Sequence, residues 1–165
     1  MKARNHQFVA LLVAAAISWF IATSSNNSVA VFLDTLGDKE FIWIFFGMYL
    51  YVAGSLLPDA DSEDRGSGIF HYLLIVPVGY IAHILEHPIA ALLDRPRGHR
   101  ESLHTVVGIT IVSLVISIIT SMIIIFVFGA NGTGIQLING WLFLFGALFV
   151  SQIVHVVCDF HFRLK

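Results

Sequence analysis

The chain has 165 residues, of which 57% are hydrophobic and 12% charged. Soluble domains carry about 25% charge, so this composition excludes a soluble globular enzyme and predicts a single all-α integral membrane domain over residues 1–165. The net charge of −2 supplies no basic field for nucleic acid, so no nucleic-acid partner is expected, and the one cysteine excludes an internal disulfide.

The first element predicted is a spanning helix over about 7–24. Lys2 and Arg4 precede its apolar stretch from Phe8 to Ile21 and Ala22-Thr23-Ser24 follows that stretch, a pattern shared with signal peptides. An uncleaved helix is expected, because the rest of the chain is just as hydrophobic. His6 stands immediately before this run.

A second span is predicted over 41–57, short for a bilayer that asks for ~20 residues. Pro58 should end it, since the residue before a proline is pushed out of the α region. Asp59 and Asp61 follow. Two carboxylates one residue apart can serve one metal or bridge two. With Ser62, Glu63 and Asp64 they also fit a solvated acidic loop.

Residues 69–93 are apolar, yet they carry His71, His83, Glu86 and His87 and are interrupted by Pro77 and Pro88. Suppose this segment lies in the interface or re-enters the membrane without crossing. Then Lys2, Arg4, Arg65, Arg95, Arg97, Arg100, Arg163 and Lys165 share one side, and only Lys39 of the nine basic residues lies opposite. That is the bias expected of a cytoplasmic face. It predicts four transmembrane helices plus an interfacial or re-entrant segment, with both termini cytoplasmic. His83-Ile84-Leu85-Glu86-His87 also matches the HxxEH pattern of zinc peptidases. Pro88 directly after it argues against a helix that continues there.

His99 and His104 flank the start of a third predicted span, 105–129, with His104 at or near its N-terminus. Arg100 lies between them. Its permanent charge and planar fork suit a phosphate or a developing oxyanion, and Arg95 and Arg97 suit anionic headgroups. Gly129-Ala130-Asn131-Gly132-Thr133-Gly134 signals a tight turn into the last span, 135–158. His155 and Asp159 are spaced i, i+4 there, on one helical face, and can bind one zinc ion or simply pair with each other. Cys158 reads as a packing residue.

In this order the clusters resemble the YdjM family of membrane-bound metal-dependent hydrolases. The matching pieces are His6, Leu57-Pro58-Asp59-Ala60-Asp61, His87-Pro88-Ile89-Ala90, Gly98-His99-Arg100 with Leu103-His104-Thr105, and His155 to Asp159. Glu101, Leu103 and Thr105 stand where the family has Gly, Thr and Ser, and residues 66–86 are extra apolar sequence. The resemblance implies an inner-membrane protein. It also implies that His6, Asp59, Asp61, His99, His104, His155 and Asp159 ligate a divalent metal, with zinc the expected ion. The histidine and HxxxD layout is similar, in ligand grammar alone, to zinc-dependent phospholipase C enzymes.

Together these features predict a hydrolase with a cytoplasm-facing metal site, Arg100 stabilising charge, and a phosphoester of a lipid or lipid-linked molecule as substrate. The alternatives are a non-enzymatic structural metal protein and an intramembrane zinc peptidase using His83, Glu86 and His87.

Overall fold

A computed structural model describes residues 12, 15, 31–37, 39–57, 69–93 and 102–163, with the side chains of 69–76 and 159–163 outside that description. The regular structure of the described residues is helical, without a strand, and turns join the helices. The helices are α1 (Glu40–Gly54), α2 (Ile69–Leu92), α3 (Val106–Phe126) and α4 (Gly134–Arg163). A helical turn over 31–34 precedes α1.

The helix ends follow from local chemistry. Thr105 caps α3: its extended backbone (φ −86°, ψ 153°) lets its hydroxyl accept from Gly108 N–H at 2.9 Å. At the other end the Ala130 N–H reaches back to Ile124 O at 3.2 Å, across a left-handed Gly129 at φ +63°. Reversing the chain this way satisfies carbonyls that the helix leaves open. α4 then starts from a reciprocal cap. Thr133 N–H donates to Gln136 Oε1 at 2.9 Å, and Gln136 N–H donates back to Thr133 Oγ1 at 3.3 Å.

α4 is the common partner, packing extensively on both α1 and α3. Small residues let the backbones close in. A Cβ at Gly140 would stand 2.7 Å from the Trp43 ring, and one at Gly47 would stand 2.3 Å from the Phe143 ring. Trp43 is fully buried in the core with Leu50, Leu144 and Leu148. Polar side chains cross the α3–α4 seam: Trp141 Nε1–H donates to Ser117 Oγ at 3.0 Å, and Gln152 Nε2–H donates to Ser113 Oγ at 2.9 Å.

The distribution of polarity is that of a chain whose solvent is lipid. Along α3, Ser113, Ser117, Thr120 and Ser121 are buried, while Leu114, Ile118, Met122 and Phe126 are exposed. Small hydroxyl residues inside and large apolar residues outside are what helix association in a bilayer favours. Among the described residues, two helical stretches, Val106–Phe126 and Gly134–Cys158, are long and apolar enough to cross. These are the third and fourth predicted spans. α1 has 15 residues, fewer than the predicted 41–57, because its α-helix closes at Gly54 and the chain tightens into a turn, with Leu56 N–H bonded to Ala53 O at 3.0 Å. The first predicted span, 7–24, lies outside the described residues except for helical positions 12 and 15.

The expected break at Pro88 is not found. α2 runs unbroken for 24 residues through both Pro77 and Pro88. Both prolines sit on its exposed side, where the lost N–H and the ring bulk disturb no neighbouring helix. Membrane helices tolerate proline where neighbouring groups or local backbone adjustments re-satisfy the carbonyl it frees.

Candidate metal centre

Three elements widely separated in sequence meet at one end of the bundle. These are the end of α1, the turn before α3, and α4 two turns before its end. The imidazoles of His104 and His155 lie edge to face, with centroids 5.5 Å apart and planes at 62°. His155 is 1% exposed. Its Nδ1 lies 2.6 Å from the Ser55 carbonyl oxygen just past α1. A carbonyl can only accept, so Nδ1 carries the proton and donates, and the lone pair resides on Nε2.

His104 is fixed by the turn that carries it. The Ser102 carbonyl accepts from Thr105 N–H at 3.3 Å and from Thr105 Oγ1–H at 2.8 Å. The Thr105 hydroxyl therefore donates to the turn and accepts from the helix at once. Gly108 makes this closure possible: a Cβ there would stand 2.1 Å from Ser102 O. The turn lies flat on the first turn of α3 because position 108 has no side chain.

Of the predicted ligands, the structure thus brings together His104 and His155. His6, Asp59, Asp61 and His99 lie outside the described residues, as does Arg100. Asp159 lies on the helical continuation of α4, which preserves its i, i+4 register with His155, but its side chain is outside the description. Among the described residues no three His, Cys, Asp or Glu side chains gather as a metal-binding group.

The peptidase-like trio on α2 is among those described residues. Glu86 is 4% exposed and faces inward, whereas His83 and His87 lie on the exposed side. The two rings stand 6.1 Å apart, and the Glu86 carboxylate is 3.5 Å from His83 Nδ1. The three do not converge on one point.

Ser55, Ser102 and Gly108 carry no ligand-type side chain and are not marked as site residues by sequence. Ser55 contributes a backbone oxygen, which no side-chain pattern reveals. Gly108 carried a signal, as a glycine three residues past a Thr cap has little purpose in a helix unless something presses against it.

A family model described as YdjM inner membrane protein matches residues 1–163. No curated protein and no solved structure matches the chain.

Proposed function

The chain belongs to the YdjM inner membrane protein family, and on that premise we propose that it is a membrane-embedded, metal-dependent hydrolase whose centre is built around His104 and His155. The observation that carries this reading is the meeting of these two imidazoles, 51 positions apart in sequence, with one of them oriented by a backbone carbonyl. Histidines that bind metals usually donate their second ring N–H in this way. Two imidazole nitrogens about 2.1 Å from one tetrahedral ion place their ring centroids about 5 Å apart. The 5.5 Å of His104 and His155 suits that better than the 6.1 Å of His83 and His87.

Connectivity supports the rest of the ligand set. Two residues of chain reach at most about 7 Å, which tethers Asp59 to Leu57 and Arg100 to Ser102. Leu57 lies two residues past the carbonyl that holds His155, and Ser102 shares a turn with His104. Asp59, Asp61, His99 and Asp159 join the two imidazoles as ligands in this proposal, with His6 completing the set. Zinc is the favoured ion, and when bound it would bring a water towards a pKa of about 7. His155 and His104 hold and orient, the Ser55 carbonyl fixes the tautomer, and Arg100 grips an anionic oxygen of the substrate. A centre at the end of a membrane bundle, whose His104 follows Arg95, Arg97 and Arg100 in sequence, favours a phosphoester of a lipid or lipid-linked molecule. The cytoplasmic side is favoured by the charge bias, with both termini there.

The burial of His155 favours a second reading, a closed structural metal site without catalysis. A catalytic site keeps a position open for water and a structural one does not.

The test is elemental analysis of the purified, metal-loaded protein after dialysis. Wild type should retain metal, while His155→Ala and Asp59→Ala should each lose it and still insert in the membrane. Loss of a ligand should weaken binding more than the 10- to 100-fold typical of a supporting partner. Retention in both variants would remove these residues from the centre. A metal-loaded wild type that turns over no phosphoester would leave the structural reading standing.

A further inference from the structure

Ser102 is 0% exposed, and its hydroxyl has no hydrogen-bond partner among the described residues. This is out of keeping with its neighbours. Ser55 Oγ–H donates to Val52 O at 2.7 Å, Ser113 Oγ accepts from Gln152, and Ser121 Oγ–H donates to Ser117 O at 2.8 Å. Among the described residues, of the buried hydroxyls only that of Tyr51 shares the condition. A buried hydroxyl left unpaired opposes folding, and alanine would avoid that penalty. A hydroxyl at such a position therefore points to a partner that is not a protein atom.

The place of Ser102 says what that partner is. Residues 102–105 form one hydrogen-bonded turn, closed by Thr105 N–H on Ser102 O, so its ends lie within about 7 Å of each other. His104 is the third residue of that turn, and its ring lies against His155. The turn also opens α3, whose first N–H groups, those of Val106 and Val107, have no acceptor within the helix. The positive end of that helix favours an oxygen lone pair nearby. Buried waters settle where several such groups lack partners.

We propose that the Ser102 hydroxyl hydrogen-bonds a buried water at the His104–His155 centre and so acts as a positioning residue for the oxygen that the protein's own ligands do not supply. The proposal rests on the metal-centre reading above.

The experiment compares wild type, Ser102→Ala and Ser113→Ala in detergent. It measures the unfolding temperature without metal and the Co²⁺ affinity from visible absorption. Ser102→Ala should unfold at about the same temperature as wild type, since the hydroxyl bonds a water and no protein atom, yet bind Co²⁺ about 10-fold more weakly. Ser113→Ala removes the acceptor of Gln152 and should do the reverse, lowering the unfolding temperature while keeping Co²⁺ affinity. Equal Co²⁺ affinity in wild type and Ser102→Ala overturns the assignment and leaves the two-imidazole centre in place. A loss of metal-free stability in Ser102→Ala as large as that in Ser113→Ala also overturns it, because the hydroxyl would then be supporting the packing. If wild type binds no Co²⁺, the centre itself is wrong and the proposal falls with it.

Discussion

Gly108→Ala is the substitution that most directly tests how the centre is built. In an ordinary helix the change is stabilising, because alanine is worth about 1 kcal/mol over glycine in a helix interior. Here the new Cβ would lie 2.1 Å from Ser102 O, whereas a carbon meets a carbonyl oxygen at about 3.3 Å or more. The turn must therefore retreat by at least about 1 Å. Its retreat breaks the paired bonds of the Thr105 hydroxyl, one to Ser102 O and one from Gly108 N–H. A lost cap costs about 1 kcal/mol, and overpacking adds about 1–3 kcal/mol. After subtracting the helical gain, the net loss is about 1–3 kcal/mol. For a chain of this size that lowers the melting temperature by about 3–10 °C. Moving the turn also moves His104 off His155, so metal affinity should fall at least about 10-fold. The assay is thermal unfolding in detergent beside Co²⁺ titration, with Gly146→Ala as the control. A Cβ at Gly146 meets nothing within 4 Å, so that variant should be neutral or slightly stabilised. If Gly108→Ala melts at or above wild type and binds Co²⁺ equally well, the turn does not hold His104 in the way argued here.

Gly140→Ala should destabilise the α1–α4 contact by about 1–2 kcal/mol, as its Cβ would meet the buried Trp43 ring at 2.7 Å; thermal unfolding followed by tryptophan fluorescence reads this, and an unchanged transition would contradict it. Reporters inserted after 64 and after 97 should both read cytoplasmic, and one in the 129–134 turn should read outside; opposite sides for the first two would mean that 69–93 crosses the membrane. Arg100→Lys should lower phosphoester hydrolysis with metal content unchanged, because a point charge cannot replace the two-pronged grip, whereas Arg95→Lys and Arg97→Lys should change little; equal activity in all three would leave Arg100 as a headgroup contact.

The apolar runs made α3 and α4 legible from sequence, because both are long and their boundaries carry chemistry that can be read locally. Thr105 caps one, and Thr133 with Gln136 opens the other. α2 was harder. Its prolines speak against a continuous helix in water, and the rule gives way where the ring can face outward without meeting a neighbour. For the centre, the sequence marked His104 and His155 by residue type, and the structure adds that they touch. What it could not mark was what two groups meet: the Ser55 carbonyl acts through the backbone on His155, and Gly108, though visible as a glycine after a Thr cap, does not reveal that Ser102 O presses on it. Both depend on what another part of the chain brings within 3 Å, and spacing along one helix does not encode that.

One consequence follows from α4 being the shared partner of α1 and α3. Those two helices pack on α4 far more than on each other, and α4 leaves the ribosome after both. During synthesis α1 and α3 therefore wait with Gly47, Gly54 and the serine row of α3 uncovered, and His104 waits without its companion ring. The centre cannot assemble stepwise as the chain emerges; it closes in one late event, when the last helix docks between the two. Under the proposed function, the centre's chemistry is thereby withheld from every incomplete copy, and a lesion that slows the docking of α4 should cost metal binding as surely as one at His155.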